Sequence, residues 1–329
     1  MTEEKERVCV TGAGAYVASW VVKFLLSKGY FVHGTVRDPC SCNEEKNGHL
    51  KKLENATENL KLFKTDMLEY EGLCSAIVGC TGVIHLASPT PFEHIPIPNP
   101  EVEFVESATK GTRNVLNACL KAKVKKVVVV SSAAAVVVNP NWPKDQPMDE
   151  NCWSDPEFCK QFELWYCLGK TTAERETVEF GRRNEEEVKI ITVCPALAIG
   201  PMLQSTINSS SSAFLNYFKG GSDTMENRDR PFVDVRDLAE ALLLTYEKPE
   251  AQGRYICSSY VIGAQVLVEK LKTLYPYYNY PKNFSEVKER INLSSSKLQK
   301  LGWKFRSFEE TLADAVKDYE EYGLLVPKH

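Results

Sequence analysis

A strand pattern that runs through a glycine turn into a helix opens the sequence, and it constrains the fold more than any other feature. Residues 8–18 read Val-Cys-Val-Thr-Gly-Ala-Gly-Ala-Tyr-Val-Ala. Gly12 permits a tight turn, and the small side chains of Ala15 and Ala18 let the backbone approach a pyrophosphate bound at the helix N-terminus. The turn predicts a dinucleotide site formed by Gly12, Gly14, Ala15, Tyr16 and Val17.

Alternating strand and helix patterns follow this turn. Short, β-branched strands at 31–36, 59–63, 82–86 and 127–131 alternate with helical spacing at 16–28, 70–78 and 102–121. A long helix over 156–183 and a strand at 189–193, ended by Pro195, complete the pattern. The alternation predicts an α/β fold, a Rossmann-type doubly wound parallel sheet. We expect residues 1–194 to form mainly the cofactor-binding domain and 195–329 mainly a smaller C-terminal substrate-binding lobe, with interleaved segments.

Composition excludes several other classes of protein. The chain has 329 residues, 43% of them hydrophobic, and a net charge of −4, which is ordinary for a globular protein and unsuited to binding a nucleic-acid backbone. The sequence has no secretory leader and no apolar run of about 18 residues, so we expect a cytoplasmic protein without a membrane partner. The eleven cysteines are scattered without zinc-site spacing, which predicts no metal site.

The end of the second strand indicates which dinucleotide binds. The strand closes with Arg37, and a guanidinium suits a 2′-phosphate and can stack on adenine. Lys46 supplies a second cation, so we predict NADP(H) rather than NAD. Asp38 argues the other way, and a merely solvent-exposed arginine is the alternative interpretation. Asp66 and Met67, just after the third strand, are expected to border the adenine.

Three side chains in the middle of the chain form a catalytic pattern. Ser132 follows the fifth strand, and Tyr166 and Lys170 are four residues apart, on one face of the predicted helix. A neighbouring ammonium, together with an oxidised nicotinamide, is expected to lower the pKa of Tyr166 from its usual value near 10. Tyr166 would then protonate a carbonyl oxygen while hydride reaches the carbon, with Ser132 hydrogen-bonded to the same oxygen and Lys170 on the nicotinamide ribose. A core tyrosine beside a snorkelling lysine is the alternative.

These motifs resemble the extended short-chain dehydrogenase/reductases, specifically the plant cinnamoyl-CoA reductase and dihydroflavonol reductase group. The resemblance covers nearly the whole chain and rests on VTGAGAYVASW (10–20), TVRDP (35–39), VIHLASP (83–89), VVVVSSAAAVVVNPNWP (127–143), WYCLGK (165–170) and CPALAIGPMLQ (194–204). It implies that Ser132, Tyr166 and Lys170 are catalytic. It also implies that the cofactor is lined by Leu86, Ala87, Ser88, Pro195, Ala196, Leu197 and Ser210.

Departures from that family pattern bear on the substrate. Val137 stands where dihydroflavonol reductases carry a polar residue, and the cinnamoyl-CoA reductase signature Lys-Asn-Trp-Tyr is changed to begin with Glu163 and Leu164. An anion at Glu163 disfavours the polyanion CoA. We therefore expect reduction of free hydroxycinnamaldehydes, as in a short-chain cinnamyl alcohol dehydrogenase of phenylpropanoid metabolism. The predicted apolar pocket contains Val137, Leu164 and Leu203.

Other interpretations remain beside this one. Reduction of hydroxycinnamoyl-CoA thioesters is the first alternative, and an NADP-binding regulator without catalysis is a remote one. Cys159 and Cys167 flank the catalytic tyrosine, but a disulfide between them requires the helix to begin after Cys159. Ala15 and Asp234 also depart from the family pattern, and the sequence offers no physical reason for Asp234. The partner is a small aromatic aldehyde or acyl-CoA, and the oligomeric state stays open, with a monomer as one option.

Overall fold

A sheet of seven parallel strands forms the centre of the computed structural model, which describes residues 6–37, 44–91, 97–219, 224–287 and 290–327. Within these residues the strands are β1 Arg7–Thr11, β2 Phe31–Val36, β3 Leu60–Lys64, β4 Gly82–His85, β5 Lys126–Val130, β6 Lys189–Pro195, β7 Leu197–Ile199, β8 Thr224–Glu226, β9 Asp229–Asp234, β10 Gly253–Cys257, β11 Tyr260–Gly263 and β12 Asn283–Ser285. The order across the main sheet is β10-β6-β5-β4-β1-β2-β3. The predicted Rossmann-type α/β fold is confirmed.

Helices cover both faces of this sheet. The helices of the described residues are α1 Tyr16–Ser27, α2 Glu44–Lys51, α3 Ala56–Asn59, α4 Tyr70–Ile77, α5 Ser107–Lys121, α6 Pro156–Gln161, α7 Trp165–Arg183, α8 Ser209–Lys219, α9 Val235–Glu247, α10 Ala264–Leu274, α11 Ser296–Lys300 and α12 Phe308–Glu321. A π-helical segment, Glu101–Glu106, leads into α5, and a 3₁₀ turn, Ala133–Ala135, follows β5.

The strands are apolar on both sides because each side meets a layer of helices. In β1, Val8 and Val10 point into a core shared with α1 and α9, whereas Cys9 points into a second core with α4 and α5. β5 alternates in the same way, with Val128 on the first side and Val127 on the second. Alternation with a period of two is the geometry of a strand, and burial on both faces is typical of a parallel sheet.

The second half of the chain contributes to both parts of the molecule. β10 pairs with β6 at the edge of the main sheet, and α9 packs against the sheet beside α1. The same half also forms a three-stranded sheet of β11, β9 and β7 and a two-stranded pair of β12 and β8. The second half of the chain therefore contributes strands to the main sheet and to both smaller sheets. No helix in the described part of the chain is long and apolar enough to cross a membrane.

Three predicted element boundaries are wrong. The helix expected over 156–183 is two helices, since the chain turns at 162–164 and Glu163 takes a left-handed φ of 54°. Asp155 caps the first of them by accepting the Phe158 N–H at 3.0 Å. The helix expected from 102 begins instead as the π-helical segment. The strand expected over 189–193 extends to Pro195, which is the last residue of β6 and pairs with Cys257 of β10, whereas the pairing of β6 with β5 ends at Val193.

Candidate active site

The glycine turn lies between β1 and α1 and depends on Gly12. Its φ is +68°, and a Cβ there would lie 3.2 Å from the Cα of Ala87. Its N–H donates to Thr35 Oγ1 at 3.0 Å, which fixes the turn against β2. α1 then begins at Tyr16 with no side-chain cap and no acidic residue in its first turn. Uncapped amides at a helix N-terminus fit a pyrophosphate, so the residues present suit a dinucleotide.

The neighbouring residues of the turn divide between surface and core. Ala15 is exposed, and Gly14 and Val17 are partly exposed, so all three can meet a ligand at this end of α1. Tyr16 is buried instead, and its hydroxyl donates to the carbonyl of Gly200 at 2.8 Å. The side chain of Tyr16 therefore joins the two halves of the chain, and only its backbone faces the predicted pyrophosphate site.

A buried network connects the ends of β1 and β4. Thr11 Oγ1 accepts the N–H groups of Leu86 and Ala87 at 3.1 Å, and it lies 2.7 Å from His85 Nδ1. Because both lone pairs of that oxygen are used, its proton goes to Nδ1, and His85 donates from Nε2 toward Thr112. Burial lowers the pKa of His85 to about 3, which keeps this ring neutral. The network fixes the backbone of the predicted cofactor segment, which consists of Leu86, Ala87 and Ser88, all partly exposed.

The residues predicted to bind the adenosine end lie at the carboxyl ends of β2 and β3. Arg37 is exposed directly after β2. The side chain of Lys46 lies outside the described residues, so its prediction stays untested. Asp66 is partly exposed and accepts the Leu68 N–H at 2.9 Å. Met67, also partly exposed, is held on α5 by a hydrogen bond from Asn114 to its carbonyl.

The structure brings the three predicted catalytic side chains together. Ser132 precedes the 3₁₀ turn and its Oγ accepts the Ala134 N–H at 3.1 Å. Tyr166 lies in the first turn of α7 and hydrogen-bonds to Ser132. The Lys170 ammonium lies 6.0 Å from the centre of the Tyr166 ring and donates to the Val130 carbonyl at 3.4 Å. The Ser, Tyr and Lys thus share one end of the sheet with the glycine turn.

The pKa values of this group differ from the sequence-based expectation. Burial raises the pKa of Tyr166 to about 12, and the hydrogen bond with Ser132 only partly opposes this. Burial also lowers the pKa of Lys170 to about 8, with Glu174 acting in the opposite direction. Lys170 is not among the groups that shift the pKa of Tyr166 here, and the lowering expected from Lys170 together with an oxidised nicotinamide stays a prediction.

The remaining predicted cofactor residues lie near the end of β6 and on α8. Pro195 and Leu197 are partly exposed, while Ala196 is buried and its N–H donates to the Cys257 carbonyl at 2.9 Å. Ser210 is partly exposed in the first turn of α8. These positions lie at the carboxyl edge of the sheet, where α/β folds bind ligands.

The predicted pocket residues lie on three separate segments. Leu164 is exposed immediately before α7. Val137 packs on a small core that includes Cys152 and Ile256, and Leu203 packs against the main core. Because the three side chains lie on separate segments, their sharing of one pocket stays a prediction.

Two residues that shape the site have no sequence signal. The ring of Phe104, in the π-helical segment, meets the Tyr166 ring edge-on at 6.2 Å. A Cβ on Gly169 would collide with the Phe104 carbonyl, so this glycine lets α7 approach the segment closely. A π-helical turn frequently marks a functional site, but only the structure identifies it here.

The position of Asp234 now has a physical reason. Its carboxylate caps α9 by accepting the backbone N–H of Arg236 at 2.8 Å, and it also forms an ion pair with the guanidinium of Arg236. Thr311 of α12 donates to it at 2.9 Å. Asp234 therefore fastens α12 to the start of α9.

The cysteines beside Tyr166 meet one condition for a disulfide. α6 ends at Gln161, so a new helix begins after Cys159, and Cys167 lies in the first turn of that helix. Both thiols are free, and burial raises the pKa of Cys167 to about 12. A scarce thiolate disfavours oxidation. A redox role therefore stays a hypothesis. No group of three metal-binding side chains occurs among the described residues.

Comparison with known proteins identifies the family. Residues 8–263 match the model of the NAD dependent epimerase/dehydratase family. Cinnamoyl-CoA reductase 1 of Petunia hybrida is 44% identical over 97% of this chain and 93% of its own length. Vestitone reductase from alfalfa (Medicago sativa) has a TM-score of 0.80 at 28% identity, covering 98% of this chain and 100% of that one. Yeast methylglyoxal/isovaleraldehyde reductase Gre2, complexed with NADPH, has a TM-score of 0.81 at 25% identity, covering 97% and 100%.

These similarities confirm the predicted group and a nicotinamide dinucleotide as the cofactor, and they support an oxidoreductase. The chain belongs to the NAD dependent epimerase/dehydratase family of dehydrogenases and reductases, in the group that contains the plant cinnamoyl-CoA reductases.

Proposed function

We propose that this protein is an NADPH-dependent reductase of phenylpropanoid metabolism that acts on the carbonyl group of a hydroxycinnamoyl-type substrate, with the CoA thioester as first candidate. The arrangement of Ser132, Tyr166 and Lys170 beside the glycine turn is the observation that carries the proposal. NADPH would supply the hydride to the carbonyl carbon.

Side chains of the protein supply the proton that the carbonyl oxygen takes up. The raised pKa of Tyr166 keeps its hydroxyl protonated and available to the carbonyl oxygen as negative charge develops there. Ser132 donates a second hydrogen bond to that oxygen, and Lys170 stabilises the phenolate left on Tyr166. With a thioester, the oxygen returns its proton to the Tyr166 phenolate as the C–S bond breaks. CoA leaves as a thiolate that takes a proton from solvent, and an aldehyde remains. With an aldehyde, protonation completes an alcohol.

The preference for NADPH rests on Arg37. This exposed guanidinium follows β2, where the ribose of a bound dinucleotide is expected. The similarity to Gre2, which was solved with NADPH, supports the same choice. We expect Arg37→Asp to weaken NADPH binding far more than NADH binding, measured by fluorescence titration. Equal weakening of both would argue against contact with the 2′-phosphate.

The similar proteins and the residues beside the site favour different substrates, a thioester and an aldehyde respectively. The cinnamoyl-CoA reductases, at up to 44% identity, favour the thioester. The exposed Glu163 and Leu164 favour the aldehyde, which is the second candidate, because an anion at the mouth repels CoA.

Steady-state kinetics with feruloyl-CoA and coniferaldehyde, each with NADPH and NADH, decides between them. We expect the larger kcat/KM with feruloyl-CoA and NADPH. A larger value with coniferaldehyde would establish the second candidate, and no turnover of either would contradict the proposal. Tyr166→Phe should abolish turnover while NADPH binding persists.

Glu163→Lys isolates the charge at the mouth of the site. Both residues are non-glycine at the same left-handed φ, so the backbone strain is unchanged. We expect kcat/KM to rise for feruloyl-CoA and to stay constant for coniferaldehyde. Glu185→Lys, beyond the far end of α7, makes the same charge change as a control. Equal effects of the two variants would show a nonspecific charge effect.

A further inference from the structure

A buried ion pair lies beneath the catalytic side chains. Glu174 is on α7, one turn after Lys170, and is 2% exposed. Arg254 of β10 is 6% exposed, and its Nε lies 2.9 Å from Glu174 Oε1. Neither residue belongs to the predicted site, and burying two charges is costly unless their geometry serves the fold or the function.

The carboxylate of Glu174 ties α7 to three strands. Its Oε1 accepts from Thr192 Oγ1 at 2.8 Å and from Cys194 Sγ at 3.1 Å, both on β6, as well as from Arg254. Its Oε2 accepts from Ser131 Oγ at 2.7 Å, at the end of β5. Ser131 directly precedes Ser132, so the carboxylate sets the catalytic serine relative to the helix that carries Tyr166.

The guanidinium of Arg254 contacts the turn that follows Ser132 and the loop that precedes α6. It donates to the carbonyl of Ala135 at 3.0 Å, in the turn that follows Ser132, and to the carbonyl of Cys152. Its carbon lies 3.7 Å from the ring centre of Trp153. The arginine therefore joins the serine turn to the loop that precedes α6.

The pair also acts on the charge of Lys170. Among the described residues, the titratable groups that face this ammonium are Tyr166 and Glu174 on α7, Cys194 on β6 and His85 on β4. His85 is neutral, as its lowered pKa requires. Burial lowers the pKa of Lys170, while Glu174 and then Cys194 raise it. Glu174 is the carboxylate that favours the charged lysine.

We propose that Glu174, held by Arg254, is a positioning residue that fixes Ser132 against Tyr166 and keeps Lys170 protonated. This inference rests on the reductase function proposed above, because it assigns the pair to the Ser-Tyr-Lys chemistry. A purely structural pair would affect stability and leave the protonation of Lys170 unchanged.

Glu174→Gln tests the proposal, since it keeps the shape and removes the charge. We expect the alkaline limb of the kcat/KM profile to move down by about one pH unit, and kcat at pH 7 to fall about tenfold. Glu176→Gln, on the same helix, removes a partly exposed carboxylate paired with the exposed Arg113 and should leave the profile unchanged. An unshifted profile with wild-type kcat in Glu174→Gln would overturn the proposal.

A second variant covers the case in which Glu174→Gln fails to fold, because it leaves the buried Arg254 without its anionic partner. The double variant Glu174→Gln/Arg254→Met removes both charges and should fold. It should keep the shifted profile, whereas a structural role predicts the wild-type profile.

Competitive amine labelling of Lys170, read by mass spectrometry over pH, gives the pKa of this lysine without any turnover. A lower pKa in Glu174→Gln or the double variant supports the electrostatic role even if no tested carbonyl is reduced. An unchanged pKa overturns it. Failure of the wild-type protein to reduce any substrate would overturn the proposed function alone.

Discussion

At the residue scale, burial sets which protonation state Tyr166 and Lys170, the proposed catalytic groups, keep. The pKa of Lys170 is lowered to about 8, so its charged form exists below that pH and is lost as the pH rises through it. The pKa of Tyr166 is raised to about 12, so the phenol stays protonated over the same interval.

The alkaline limb of the pH profile for carbonyl reduction should therefore belong to Lys170. We expect kcat/KM to fall above about pH 8 with a slope approaching tenfold per pH unit, because kcat/KM reports the pKa of the free enzyme. The measurement is steady-state reduction from pH 6 to pH 10. Constant kcat/KM across that range would assign no essential proton to Lys170.

A single glycine also decides whether the cofactor turn can form. Gly12→Ala adds a methyl group 3.2 Å from the Ala87 backbone in a left-handed conformation. We expect a loss of about 1–2 kcal/mol of stability and much weaker NADPH binding, because the Ala87 segment must move. Urea unfolding and fluorescence titration measure the two effects.

Gly29→Ala is the matched control for this change. Gly29 has a φ of +84°, but an added Cβ there meets nothing within 4 Å, and it lies just past the far end of α1. It should show a similar loss of stability with unchanged NADPH binding. If both variants bind NADPH equally well, the close approach at Gly12 is irrelevant to the cofactor.

At the element scale, the placement of α7 depends on its contact with the π-helical segment. Gly169→Ala forces the helix away from the Phe104 carbonyl, which is backbone and cannot rotate aside. We expect a loss of about 1–3 kcal/mol of stability and a large fall in kcat, because Tyr166 and Lys170 move with the helix. Kinetics and thermal unfolding measure both.

Gly181→Ala on the same helix separates this contact from helix propensity. Its Cβ would meet the Ile190 side chain at 3.1 Å, and alanine favours a helix by about 1 kcal/mol over glycine. We expect stability and kcat close to wild type. A matching fall in kcat for both variants would mean that α7 is generally intolerant of alanine.

The same elements show how far the sequence can predict this molecule. β1, α1 and the proximity of Tyr166 to Lys170 follow from local spacing, which is why their positions agree with expectation. The break at Glu163 has no local signal, since a left-handed glutamate is held by its surroundings rather than by propensity. The pairing of β10 with β6 joins residues about 60 positions apart, and such contacts leave no period in the sequence. For the same reason the Glu174–Arg254 pair could not be predicted.

At the scale of the whole molecule, the two halves of the chain are fastened by buried side chains. Tyr16 and Trp20 of α1 donate to the carbonyls of Gly200 and Pro201. Trp303, near the C-terminus, donates to the Asp237 carbonyl on α9, which itself packs against α1. Neither half can lose its fold without exposing polar groups and apolar surface of the other.

The protein should therefore unfold in one cooperative transition, although its described residues form three separate sheets. We expect urea curves from tryptophan fluorescence and from far-ultraviolet circular dichroism to coincide, because Trp20 and Trp303 report on both halves. NADPH at about 100 times its dissociation constant should stabilise the protein by about 2.7 kcal/mol and move both curves together. Two separate transitions, with only one of them responding to NADPH, would show that the two halves of the chain fold independently and that the buried contacts between them contribute little.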